Sequence, residues 1–154
     1  MRRLVVILAA AGVWGCRVSP IAANRVETAI APTFANLVRV QVSWMGLQPV
    51  AVSELAATAR CRKLSGSATS GAGDWECTLF WRGPNRQLLR DTYDLLVATD
   101  GCYTATIVGD SFGGPTLKTA SGRDVRNLLY AFEGCFDTTR RVPAATVDPI
   151  ASRH

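Results

Sequence analysis

The chain has 154 residues, of which 48% are hydrophobic, 19% charged and 8% aromatic; this suits one folded domain and excludes both a disordered chain and a multi-span membrane protein. Its formal net charge of +5 divides as +3 over residues 1–59, zero over 60–139 and +2 over 140–154, and only two lysines occur. A nucleic-acid binder concentrates Lys and Arg on its folded surface, so a neutral middle argues against one. The only histidine is His154, which removes most histidine-based catalysis and most zinc chemistry.

Met1-Arg2-Arg3 is a short positive segment, and an apolar run from Leu4 to Trp14 leads into Gly15-Cys16. From Leu4 to Gly15 a helix would rise about 18 Å, short of the roughly 30 Å hydrocarbon core, so residues 1–15 read as a signal peptide and not as a spanning helix. Val13-Trp14-Gly15-Cys16 resembles the bacterial lipobox. That resemblance implies cleavage before Cys16, lipidation of its thiol (a palmitate-bearing anchor), and a lipoprotein on the outer face of the cytoplasmic membrane. The alternative is cleavage further on, after Ala23, with release as a secreted protein. Residues 16–23 then form anchor and tether, 24–139 a single domain, and 140–154 an aperiodic tail expected to be disordered.

From Asn24 the apolar positions Val26, Ile30, Phe34, Leu37, Val38, Val42 and Met45 fall at steps of three and four, which predicts a helix with one core-facing side. Pro32 is expected to kink or break it, and Gly46 to stop it. Val50 to Arg62 is rich in Val, Ala and Thr and predicts a strand, with a helix from Ser53 as the competing reading. Ser65 to Gly73 is a flexible loop. In the next segment Trp75, Cys77, Leu79 and Trp81 alternate with polar residues, the pattern of a half-buried strand. After a turn at Arg82 to Gln87, Asp91–Thr99 and Cys102–Val108 flank Asp100-Gly101, which predicts a two-residue hairpin turn with Thr99 opposite Cys102 and Val97 opposite Thr104. Both sides of that hairpin then look apolar, as in a central pair. A short strand is expected near Thr116 to Thr119, and Asn127 to Cys135 returns to the core. The expected fold class is α+β: an N-terminal helix on a small antiparallel sheet of about four strands, cystatin-like in style.

With Cys16 assigned to the anchor, Cys61, Cys77, Cys102 and Cys135 remain as an even set, which in an exported chain implies disulfides. Three connectivities are possible. Cys61–Cys77 with Cys102–Cys135 is favoured because each closes a modest loop around a turn-rich segment, at about 3–4 kcal/mol per bridge. No CxxC pair occurs, and no metal or cofactor site is expected.

The segments Ala59-Arg60-Cys61-Arg62, Gly73 to Trp81 (GDWECTLFW), Tyr93-Asp94, Asp100 to Ala105 (DGCYTA) and Leu129 to Thr138 (LYAFEGCFDT) are spread over the central half of the chain. Together they resemble a family of uncharacterised secreted or lipid-anchored proteins of high-GC Gram-positive bacteria, with the four-cysteine spacing as the most specific element. The resemblance implies export and a disulfide-stapled domain, and it brings no activity with it.

Catalytic candidates are few. Asp74 and Glu76 stand about 6.6 Å apart along one strand side, a spacing compatible with acid–base work on a sugar but expected on a solvated face. Ser65, Ser67 and Ser111 lie in glycine-rich loops with no histidine to activate them and only Lys63 as a base. Trp44, Trp75 and Trp81 are candidate binding residues for a glycan or lipid groove, with core packing as the competing reading for the last two. The expected function is a non-enzymatic exported binding or accessory module for an envelope protein or polymer. The alternatives are a secreted hydrolase inhibitor acting through Gly109 to Pro115 (GDSFGGP), and a small carboxylate-dependent hydrolase.

Overall fold

One long helix, α1 (Ala23–Trp44), lies across a five-stranded antiparallel sheet in the computed structural model, which describes residues 21–139. The α+β class holds, with one strand more than the sequence suggests. A single turn of helix, α2 (Val52–Leu55), precedes β1 (Thr58–Lys63), β2 (Gly73–Arg82), β3 (Leu88–Val97) and β4 (Cys102–Ile107). A small ribbon of β5 (Thr116–Lys118) and β6 (Asp124–Arg126) interrupts the sheet sequence before β7 (Ala131–Cys135). The sheet runs β1-β2-β3-β4-β7, so the ribbon is an excursion and each main strand pairs with the preceding one. The expected signal peptide, the Cys16 expected to be lipidated and the expected tail lie outside the described residues.

The helix buries Val26, Ile30, Ala31, Phe34 and Ala35 against the sheet, the face its apolar spacing specifies. Pro32 does not interrupt it. The proline ring faces solvent, and the Asn36 side-chain amide donates to the Pro32 carbonyl at 2.9 Å. Gly46 ends the helix in a left-handed conformation at φ 78°: its N–H reaches the Ser43 carbonyl and the Leu47 N–H the Val42 carbonyl, both at 3.0 Å. This is the Schellman arrangement, for which glycine is the least strained residue.

Below the helix, Trp75, Cys77, Leu79 and Trp81 of β2 and Tyr93, Leu95 and Val97 of β3 are all buried. In β4 the buried residues are Tyr103, Ala105 and Ile107, and the hairpin differs from the sequence expectation by one residue. Val97 faces Tyr103 and Leu95 faces Ala105. The Gly101 N–H reaches the Ala98 carbonyl, the Ala98 N–H reaches the Cys102 carbonyl, and Gly101 takes φ 88°. That is a three-residue loop with a left-handed glycine closing it, not a two-residue turn. One step of register moves a whole set of side chains across the sheet. Leu96, Cys102, Thr104 and Thr106 therefore share the outer side, and only one face is apolar. Both readings of Val50 to Arg62 hold in part: α2 forms first, Ala56 turns the chain at φ 44°, and β1 follows.

Candidate functional site

Cys61–Cys77 and Cys102–Cys135 are both bonded, the connectivity that loop lengths favour. Each joins residues directly opposite on neighbouring antiparallel strands. Cys61–Cys77 lies on the helix side, where the Glu27 carboxylate accepts the Cys61 N–H at 2.9 Å. Cys102–Cys135 lies on the outer side.

The helix leaves that outer sheet face uncovered and also gives the molecule two unlike ends. At the near end the described region both starts and finishes: the Gly71 N–H donates to the Ile21 carbonyl at 2.7 Å, and Arg25 Nη1 donates to the Asp137 carbonyl at 2.9 Å. The far end lies a helix length away, about 33 Å. There lie the turn after α1, the β2–β3 turn and the long excursion from Val108 to Leu128.

Charge follows the same axis. The described residues carry as many basic as acidic side chains, yet Arg39, Arg60, Arg82, Arg86 and Arg90 fall in the far half with Lys118, Arg123 and Arg126 of the excursion. Only Glu54, Asp91, Asp110 and Asp124 oppose them there. Glu27, Asp74, Glu76, Asp94, Asp100, Glu133 and Asp137 fall in the near half, against Arg25, Arg62 and Lys63. A chain that is neutral in its middle is thus a dipole, positive at the far end.

The three tryptophans do not form one groove. Trp75 and Trp81 are 0% and 6% exposed and belong to the core, whereas Trp44 at the last turn of α1 is 45% exposed and stands alone. The Trp75 indole donates to the Gly71 carbonyl at 3.1 Å, and the Trp81 ring packs 4.9 Å from Phe34. Asp74 and Glu76 lie on the open face as expected; Glu76 pairs with Arg62 at 2.7 Å and faces Asp94 across the strands. Asp91 and Asp94 lie within β3 on opposite sides, since three residues separate them in a strand whose side chains alternate. Ser111 is exposed in its loop. Among the described residues no group of three His, Cys, Asp or Glu side chains is placed to hold a metal ion.

Two buried amides that no sequence pattern marks organise the far end. Asn127, fully buried, donates from Nδ2 to the carbonyls of Phe112 (2.8 Å) and Gly114 (2.9 Å), while its Oδ1 accepts the Leu129 N–H at 3.1 Å. Gln41 Oε1 accepts the Leu128 N–H at 2.6 Å, tying α1 to a residue 87 positions later. These bonds hold Gly109 to Pro115 in one shape. They also turn Phe112 inward, 5.6 Å from Trp81 and 6.2 Å from Phe34. Beside this cluster the Tyr93 hydroxyl donates to the Leu129 carbonyl at 2.8 Å, and burial, helped by the nearby Asp91 charge, pushes its ionisation well above the ordinary tyrosine range. Burial also raises the Tyr103 phenol.

Among exposed groups at the far end, Arg82, Arg90 and Leu88 surround the half-buried Phe80 on the open sheet face, and Leu88 is 70% exposed. Comparison of the chain with protein-family models, with curated proteins and with solved structures finds no match.

Proposed function

We propose that this chain is an exported lipoprotein, held to the outer face of the cytoplasmic membrane through Cys16, that works as a non-enzymatic binding module for an envelope component. The observation that carries the reading is the polarity of the fold. Ile21, the first described residue, lies at the near end, five residues beyond Cys16, so an anchored molecule would point its arginine-rich end away from the bilayer. Two bonded disulfides support passage through an oxidising compartment. No described helix is long and apolar enough to cross a membrane, so attachment on this reading rests on the lipid.

Cell fractionation tests the anchor. The wild-type protein is expected in the membrane fraction and Cys16→Ala in the medium; a Cys16→Ala protein that stays with the membrane as the wild type does would contradict it.

A specific observation also favours a second reading, inhibition of a hydrolase by the Gly109 to Pro115 loop. Asn127 holds that loop in a fixed shape with Asp110, Ser111 and Pro115 exposed, and a preformed loop loses little entropy on binding. Recovery of one stoichiometric hydrolase with the full chain supports this reading, and recovery of none rejects it.

A further inference from the structure

Phe80 stands on the open face of β2 inside a triangle of arginines. Arg90 is its partner on β3, Arg82 follows two residues along its own strand, and Arg60 lies on the neighbouring diagonal of β1. Opposite residues on paired strands sit about 5 Å apart at Cβ and diagonal ones about 7 Å, which makes Arg90 and Arg60 cross-strand neighbours of the ring, while Arg82 Nη1 donates to the Arg86 carbonyl at 3.4 Å in the adjoining turn. None of the three forms an ion pair with a described residue; Glu76, four residues back on the same face, is engaged by Arg62 at 2.7 Å. In the adjoining row the Thr78 and Thr92 hydroxyls lie 3.4 Å apart. Leu88, beside Arg82, extends the apolar surface at the outer margin.

This combination is more specific than a positive patch. Guanidinium forks bind carboxylates with two parallel hydrogen bonds, the aromatic face offers an apolar platform, and paired hydroxyls donate to or accept from alcohols. A ligand that uses all three is a ring bearing a carboxylate and neighbouring hydroxyls. We infer that Phe80 with Arg60, Arg82 and Arg90 forms a binding site for an acidic polysaccharide, with uronate carboxylates on the arginines and one sugar ring on Phe80. The inference deepens the binding-module reading by naming its ligand class. It does not need the anchor: a Cys16→Ala protein that misbehaves in fractionation leaves this site untouched.

Calorimetric titration of the full chain in detergent with polygalacturonate, neutral dextran and polyphosphate tests it. Polygalacturonate is expected to bind and dextran not to. Arg60→Ala and Arg90→Ala should each weaken polygalacturonate by about tenfold, the loss of one charge-assisted contact. Phe80→Leu should weaken polygalacturonate about fivefold while leaving polyphosphate affinity unchanged, since polyphosphate uses charge alone. Arg123→Ala, on the ribbon, serves as the charge-matched control and should change nothing. All these positions face solvent at least in part, and an unchanged melting temperature verifies the fold of each variant. Absence of polygalacturonate binding overturns the site. So does polyphosphate binding as tight as polygalacturonate with no effect of Phe80→Leu, which would mark simple attraction between opposite charges.

Discussion

In the near half of the sheet two covalent bridges join neighbouring strands, whereas at the far end no described disulfide exists and packed rings and buried amides do the holding. The bridges close loops of 16 and 33 residues and act chiefly on the unfolded chain, at about 3 kcal/mol each. The far end depends on native contacts: Phe34 meets Trp81, Tyr93 and Phe112, and Asn127 and Gln41 accept backbone donors of Leu129 and Leu128. The difference teaches where each kind of support is useful. Cross-linked strands stay paired through local opening, whereas an end that presents a rigid surface needs its loops fixed residue by residue.

Breaking the far end should have the largest effect. Phe34→Ala empties the centre of the aromatic cluster and is expected to cost about 4 kcal/mol, read as a lower urea midpoint. A loss below about 1 kcal/mol would mean that the rings are not what holds this end. Replacing both Cys102 and Cys135 by Ala should cost about 3 kcal/mol. Hydrogen exchange should then quicken in β4 and β7 and stay slow at residues 109–128. Faster exchange at 109–128 would show that the two ends are not supported separately.

Asn127→Ala is the converse experiment and should cost about 2 kcal/mol, because the Leu129 N–H and two carbonyls lose a buried partner. Exchange should quicken in the Gly109 to Pro115 loop and not near the disulfides.

The smallest effect concerns alkali. Tyr93 and Tyr103 ionise less readily folded than unfolded, so the unfolded chain releases their protons first as pH rises. Stability from these groups is complete below the ordinary tyrosine value of 10.0 and declines above it. Tyr93→Phe should flatten that decline at the expense of the bond to the Leu129 carbonyl, measured as urea midpoints between neutral and strongly alkaline pH. An unchanged slope would show that Tyr93 is not its source.

Much of the helix, the central strand and the disulfides was legible in the sequence, because their signals are local. The alternation from Trp75 to Trp81, the helical spacing from Val26 to Val38, the stop at Gly46 and the four cysteines each act within a few residues of themselves or through loop length. Pro32 was misleading because a proline on the solvent side of a helix held by burial on the other side costs one hydrogen bond and is tolerated. The hairpin register slipped because Asp100-Gly101 suits a two-residue turn and a three-residue loop equally, and both strands have apolar residues at adjacent positions. Asn127 and Gln41 were invisible since their partners are backbone groups up to 87 residues away, which leave no pattern in residue type. The arginine triangle around Phe80 was equally hidden: Arg60 and Arg90 come from the strands on either side of β2, and only the register sets them around Phe80.

The claim that the far end of the open face is the working surface is tested most directly by a hydrogen-exchange footprint of the full chain with and without polygalacturonate. Slowed exchange confined to residues 58–60 and 78–92 is the predicted result. Protection instead at residues 65–73 or 98–102, or none anywhere, would contradict it.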